Sequence, residues 1–170
     1  MKKISIDQHF DYPLAVLLRA REERYRQLDK FPELKNVTTI KEEREGNILK
    51  QIRHISIADS MPVVLTTLLP AGSTVLVEDS EFNSESNVHT FRVVPGGNLD
   101  SIFTVTGVSK YYSIDDTHSG RNYEIEIRSQ ALFVSMLIEG AIADLYHRNL
   151  DKDQASILHF ISMLESGGEP

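Results

Sequence analysis

With 170 residues, 18 Lys and Arg against 25 Asp and Glu, and a formal net charge of −7, the chain fits one domain that buries about 70% of the surface its unfolded form exposes. The acidic balance argues against nonspecific nucleic-acid binding and whole-surface attraction to anionic lipid, because both need a cationic face. Cysteine is absent, which excludes disulfides, thiolate metal sites and cysteine nucleophiles.

The opening MKKISIDQHFDY alternates instead of running into an apolar core, so it does not read as a secretory signal. No run approaches the roughly 18 apolar residues of a membrane-spanning helix. The expectation is a soluble, cytoplasmic protein with one domain over residues 1–165 and a disordered tail over 166–170. Ile4, Ile6 and Phe10 share one face of a first strand that ends near Asp11. Pro13 suits a first helical position, and the helix it opens should carry Leu14, Leu17, Leu18 and Tyr25 inward until Pro32 stops it. The stretch accommodates either two short helices or one bent helix. Arg19, Arg21, Arg24 and Arg26 make it locally basic, interrupted by Glu22 and Glu23, which reads as mixed charge on a helix surface with head-group contact as the alternative.

From Val37 the period becomes two, and Glu45-Gly46-Asn47 makes a tight hairpin into a return strand over Ile48–Ile57. The apolar piece fenced by Pro62 and Pro70 reads as a hydrophobic loop or single helical turn, with Met61, Val64, Leu65 and Leu68 as a lid. Strands over Thr74–Phe82, Val88–Val94 and Leu99–Ile114 follow, separated by turn-rich segments, with Gly107 as a candidate bend. Asp115, Asp116 and His118 lie in a turn, where Asp is expected on turn chemistry alone. Tyr123, Ile125 and Ile127 then alternate with Glu124, Glu126 and Arg128 in the cleanest amphipathic strand. Gln130–Leu164 is a long helix, apolar over more than half its circumference at first and therefore gripped by other elements. Asp151 and Gln154 can re-cap it after Asn149 and Leu150, which predicts a kink or frayed step there.

The expected fold class is α+β: a curved antiparallel sheet of about seven strands wrapped around a long C-terminal helix. The inward strand faces supply the ligand-lining candidates Ile52, His54, Val75, Val77, His89, Phe91, Val93, Phe103, Val105, Tyr111, Tyr123 and Ile125, with Leu137 and Ala141 from the helix. Of these, His54, His89 and Tyr111 are the polar members that a mostly apolar pocket needs for orientation. The six histidines, at 9, 54, 89, 118, 147 and 159, show no paired metal-ligand spacing. Asp144, His147 and Asp151 share a helix face that solvation explains. No metal, cofactor or catalytic motif is expected.

The order of elements, together with Phe10-Asp11-Tyr12-Pro13, Phe31-Pro32-Glu33-Leu34-Lys35 and Glu45-Gly46-Asn47, resembles the START-like, or SRPBCC, helix-grip superfamily over nearly the whole chain. Within it, MPVVLTTLLPAGSTVLVEDSEFNS looks like the apolar loop and following strand of PRELI-type phospholipid-transfer domains and of an uncharacterised bacterial START-like branch. The resemblance implies a cavity between sheet and helix that binds, and by extension transfers, a lipid or other hydrophobic small molecule, with transient membrane contact. It does not imply catalysis. The alternatives are a cyclase- or aromatase-type enzyme using a pocket His or Tyr as acid or base, and an interaction module with a filled interior that docks through the 61–69 loop.

Overall fold

Seven strands form one antiparallel sheet in the computed structural model, which describes residues 1–70 and 73–167. They are β1 (Lys2–Phe10), β2 (Val37–Glu45), β3 (Ile48–Ser56), β4 (Val75–Asn83), β5 (Val88–Pro95), β6 (Thr104–Asp115) and β7 (His118–Arg128), arranged β1-β7-β6-β5-β4-β3-β2. Helix α1 (Leu14–Glu23) runs into a tight turn at Arg24–Arg26, α2 (Val63–Thr66) is a single turn, and α3 (Ser135–Glu165) packs on the inner face of the sheet. The helical segment after β1 is thus one short helix followed by separate single turns at Arg24–Arg26 and Pro32–Leu34. Of the expected tail, Ser166 and Gly167 follow the end of α3, and 168–170 lie outside the described residues.

The sheet follows from period-two patterning and from turns that tolerate unusual backbone. Gly46 at φ 58° closes the β2–β3 hairpin where a side chain would be strained. Gly107 sits beneath the Phe91 ring, and a Cβ there would stand 2.2 Å from Phe91 Cζ. The glycine expected to bend the sheet therefore also makes room for a ring. Register shifts occur elsewhere, between Thr39 and Lys41 and between Ser113 and Asp115. β6 begins later than the pattern suggests, because residues 99–103 form a turn before it.

Two apolar cores lie between sheet and helices. Ile57, Leu65, Leu76, Phe91, Val93, Phe103, Val105, Ile125 and Ile127 pack with Ile138 and Ile142 of α3. Phe10, Leu17, Ala20, Phe31 and Leu34 pack with Ile157, Phe160 and Ile161 farther along the same helix. One helix of 31 residues joins both cores, and it continues through the step expected near Asn149–Asp151 without a frayed break.

The beginning of α3 departs from expectation. Leu132, Phe133, Met136 and Leu137 are exposed, with Phe133 at 101% and its backbone in the left-handed region at φ 66°. Ala131 and Val134 of the same stretch pack half-buried on the first core, so its apolar excess is divided between core and solvent. Among the described residues no helix is long and apolar enough to cross a membrane.

Candidate functional site

A belt of charge separates the two apolar cores, and it is built from residues far apart in sequence. Arg21 and Arg24 come from α1 and the turn after it, Arg53 from β3, Arg121 from β7, and all four are buried. Asp153 of α3 is shared by Arg24 Nη2 at 3.0 Å and Arg121 Nη1 at 2.8 Å. Glu22 is shared in the same way by Arg21 Nη1 at 2.8 Å and, more loosely, Arg53 Nη2 at 3.5 Å.

Guanidinium groups tolerate such sites because they are weakly hydrated, planar and rich in donors, and they stack on aromatic rings. The Arg21 guanidinium lies 4.3 Å from the centre of the Phe82 ring, and that of Arg53 lies 4.3 Å from the Tyr25 ring. Remaining donors are mostly placed: Arg24 Nε donates to the Ala20 carbonyl at 2.8 Å and its Nη1 to Ser156 Oγ at 2.8 Å. Arg121 Nε donates to Gln8 Oε1 at 2.6 Å, while Gln8 Nε2 reaches the Leu150 carbonyl at 3.1 Å. That chain ties β1, β7 and α3 together. Arg121 Nη2 and Ser109 Oγ, on the same inner face, are buried without a partner.

Above this belt, Glu78 of β4, His89 of β5 and Tyr146 of α3 make no hydrogen bond or ion pair among the described residues. Each is enclosed by protein yet keeps accessible surface. A polar group left so without a hydrogen-bond partner is costly unless something polar reaches it.

The electrostatics follow from the cation excess. Burial, helped by Arg21 and Arg53, pushes the His89 imidazole down to about 3, so it is neutral at physiological pH. Burial raises the Glu78 carboxyl, and Arg53 and Arg21 only partly oppose it. Burial would raise the Tyr111 phenol too, but Arg21, whose Nε donates to the Tyr111 hydroxyl at 3.2 Å, and Arg121 bring it below its ordinary value. Its neighbour Tyr123 moves well above, through burial and through Tyr111 itself. Burial likewise opposes ionisation of Asp153, yet Arg24 and Arg121 hold its carboxyl low.

Of the residues expected to line the site, Phe91, Val105, Tyr111, Tyr123 and Ile125 are buried on the inner face, His89 is half-buried there, and Phe103 is buried in the turn before β6. Ile52, His54, Val75 and Val77 require correction: they stand on the outer face. The register pairs His54 with Val77 outside and Arg53 with Glu78 inside. The alternation of β3 is misleading because its inner set, Leu49, Gln51, Arg53 and Ile55, includes two polar residues. Leu137 is 65% exposed, also outside the grip, whereas Ala141 is half-buried beside Ile142. In the expected lid, Leu65 is fully buried and Met61, Val64 and Leu68 pack half-buried on the first core. The arginines of the first helical region need the largest revision, since Arg21 and Arg24 are interior and not surface charges.

Glu78, Tyr146, Arg21, Arg53, Arg121 and Asp153 were not anticipated as site residues. The one available signal was the polar second set in β3 and β4, read as solvent-facing. Two open depressions of about 340 and 290 Å3 lie on the outer face, lined by groups such as Lys3, Glu124 and Arg92. Among the described residues no group of His, Asp or Glu is arranged to hold a metal ion.

No family model matches the chain, and no curated protein matches it. Solved structures do. The chain is similar to the Zhui aromatase/cyclase from Streptomyces sp. R1128 with a TM-score of 0.65 at 11% identity, covering 98% of both chains. It matches Ara h 8.0201 with a TM-score of 0.65 at 9% identity, covering 95% of this chain and 98% of that one. Truncated norcoclaurine synthase from Thalictrum flavum gives 0.57 at 14% identity, covering 96% and 92%. These are START-like, or SRPBCC, helix-grip proteins. At such identities the likeness is one of fold, and the fold of this chain is the helix grip.

Proposed function

We propose that the protein binds a hydrophobic small molecule with polar substituents in the space between the inner face of the sheet and α3. The observation that carries this reading is the trio Glu78, His89 and Tyr146, deep polar side chains that keep accessible surface and make no hydrogen bond or ion pair among the described residues. Apolar walls with a few placed polar groups are what small-molecule sites consist of. A diacyl phospholipid of the kind PRELI-type domains carry fits less well, because its acyl chains would have to cross the arginine belt. Binding of the neutral fluorophore N-phenyl-1-naphthylamine, followed by native mass spectrometry of the purified protein, tests the reading. Saturable binding that Tyr146→Ala weakens about ten-fold and His54→Ala leaves unchanged is expected. No saturable binding and no co-purified small molecule would overturn it.

A second reading is supported by the Arg21–Tyr111 hydrogen bond. A phenol held below its ordinary value beside a neutral imidazole at His89 is equipped for acid–base chemistry on a bound aromatic or polyketide molecule, and one similar structure is an aromatase/cyclase. His54, on the outer face, has no part in it. Turnover of a poly-β-ketone lost in Tyr111→Phe but retained in His54→Ala is the expected signature.

A further inference from the structure

The charge inside the grip does not balance. Four buried arginines face two acids that are bonded to them, each acid divided between two guanidinium groups: Glu22 between Arg21 and Arg53, and Asp153 between Arg24 and Arg121. The third acid, Glu78, is paired in register with Arg53 across β3 and β4 but makes no hydrogen bond or ion pair to it.

Uncompensated charge in a protein interior is expensive and is normally paired. The two halves of the belt differ in how far this is met. Around Asp153, the Arg24 and Arg121 contacts are short, and Gln8, Ser156 and the Ala20 carbonyl occupy further donors, although Arg121 Nη2 is buried there without a hydrogen-bond partner among the described residues. Around Glu22 the fit is looser. Arg53 reaches the carboxylate only at 3.5 Å and Thr39 Oγ1 at 3.2 Å, and neither Arg21 Nη2 nor Arg53 Nη1 donates a hydrogen bond among the described residues. Both guanidinium planes are nevertheless fixed by stacking, Arg21 on Phe82 and Arg53 on Tyr25. Two oriented guanidinium groups, under-supplied with acceptors and held on rings, form a receptor for a planar anion.

We propose that this half of the belt receives an acidic group, a carboxylate or sulfonate on an apolar body, between Arg21 and Arg53, with the body extending over Phe82 toward His89. The proposal rests on the reading of the interior as a ligand site and names the chemistry of its guest. The neutral His89 leaves the arginines as the positive charges there.

The test compares 8-anilinonaphthalene-1-sulfonate with N-phenyl-1-naphthylamine, which share an apolar body and differ in the anionic group. Both are titrated in the Phe133→Ser/Leu137→Ser background, which removes the exposed apolar patch at the start of α3 as a competing surface. The sulfonate probe should bind at least about ten-fold more tightly than the neutral one, and Arg53→Met should abolish that preference. Competition needs no belt variant: 2-naphthoate should displace the sulfonate probe and methyl 2-naphthoate should not. Laurate in place of 2-naphthoate distinguishes an acyl guest from an aromatic one, and displacement by either acid supports the proposal. Equal affinity for the two probes, or displacement by acid and ester alike, overturns it while leaving the proposed function standing. Absence of binding by either probe removes both together.

Discussion

The two faces of the sheet use charge in opposite ways. Outside, ion pairs such as Lys3–Glu126 at 3.3 Å and Lys41–Glu43 at 3.3 Å are largely exposed, and each acid meets one cation. Inside, Glu22 and Asp153 each serve two arginines, most of whose surface is gone. Water supplies the missing partners on the outer face, so its pairs are individually dispensable. On the inner face each partner must be protein or guest, so the arrangement is coupled.

Removing Asp153 should expose that difference most sharply. Asp153→Asn leaves Arg24 and Arg121 buried without their shared counter-charge, and urea unfolding at neutral pH should show a loss of about 3–5 kcal/mol. Because the folded carboxyl is held low, its contribution is complete above the unfolded carboxylate range and disappears as pH falls through and below it. The acid limb of the stability curve should therefore be shallower in the variant. An unchanged midpoint would mean that the belt is not a structural tie.

A glycine on each face provides the next contrast. The Cβ of Gly107→Ala would stand 2.2 Å from the buried Phe91 ring, and that of Gly120→Ala 2.5 Å from Tyr112 Cζ, whose ring is only half-buried. The inner substitution should cost about 1–3 kcal/mol, and the outer one less, since Tyr112 can swing into solvent. Equal thermal shifts would contradict the distinction.

His89 gives a smaller, pH-gated effect. With its folded value near 3, the unfolded chain binds the extra proton first, so stability is whole above about pH 6.5 and erodes as pH falls toward 3. At pH 5 the loss is on the order of 1–2 kcal/mol. Its ring resonances should not titrate between pH 5 and 8, and His89→Phe should flatten that part of the profile. Smallest of all, Lys3→Ala should shift stability by about 0–0.5 kcal/mol, less still in high salt. A loss comparable to that of Asp153→Asn would erase the contrast between the faces.

The strands were legible in the sequence where the inside is apolar. Ile4, Ile6 and Phe10, or Tyr123, Ile125 and Ile127, declare their face because burial and hydrophobicity coincide. In β3 and β4 they do not, since Gln51, Arg53, Glu78 and Ser80 point inward and Ile52, Val75 and Val77 outward. Alternation then selects the wrong set. The burial of Arg21 and Arg24 was hidden for a related reason: the partners that make it tolerable, Tyr111, Phe82, Ser156 and Asp153, lie tens of residues away. Leu132, Phe133, Met136 and Leu137 show the converse, hydrophobicity without burial, which no local pattern distinguishes from a core helix.

The unbroken course of α3 has a consequence for how the molecule opens. Ile138 and Ile142 belong to one apolar cluster, Ile157, Phe160 and Ile161 to the other, and Asp153 is fastened between them. Fraying from either end loosens its own cluster first and must detach that fastening before it can pass to the other. Amide exchange from Ile138 to Ile161 should accordingly fall into two blocks that meet at Asp153, each with its own opening free energy.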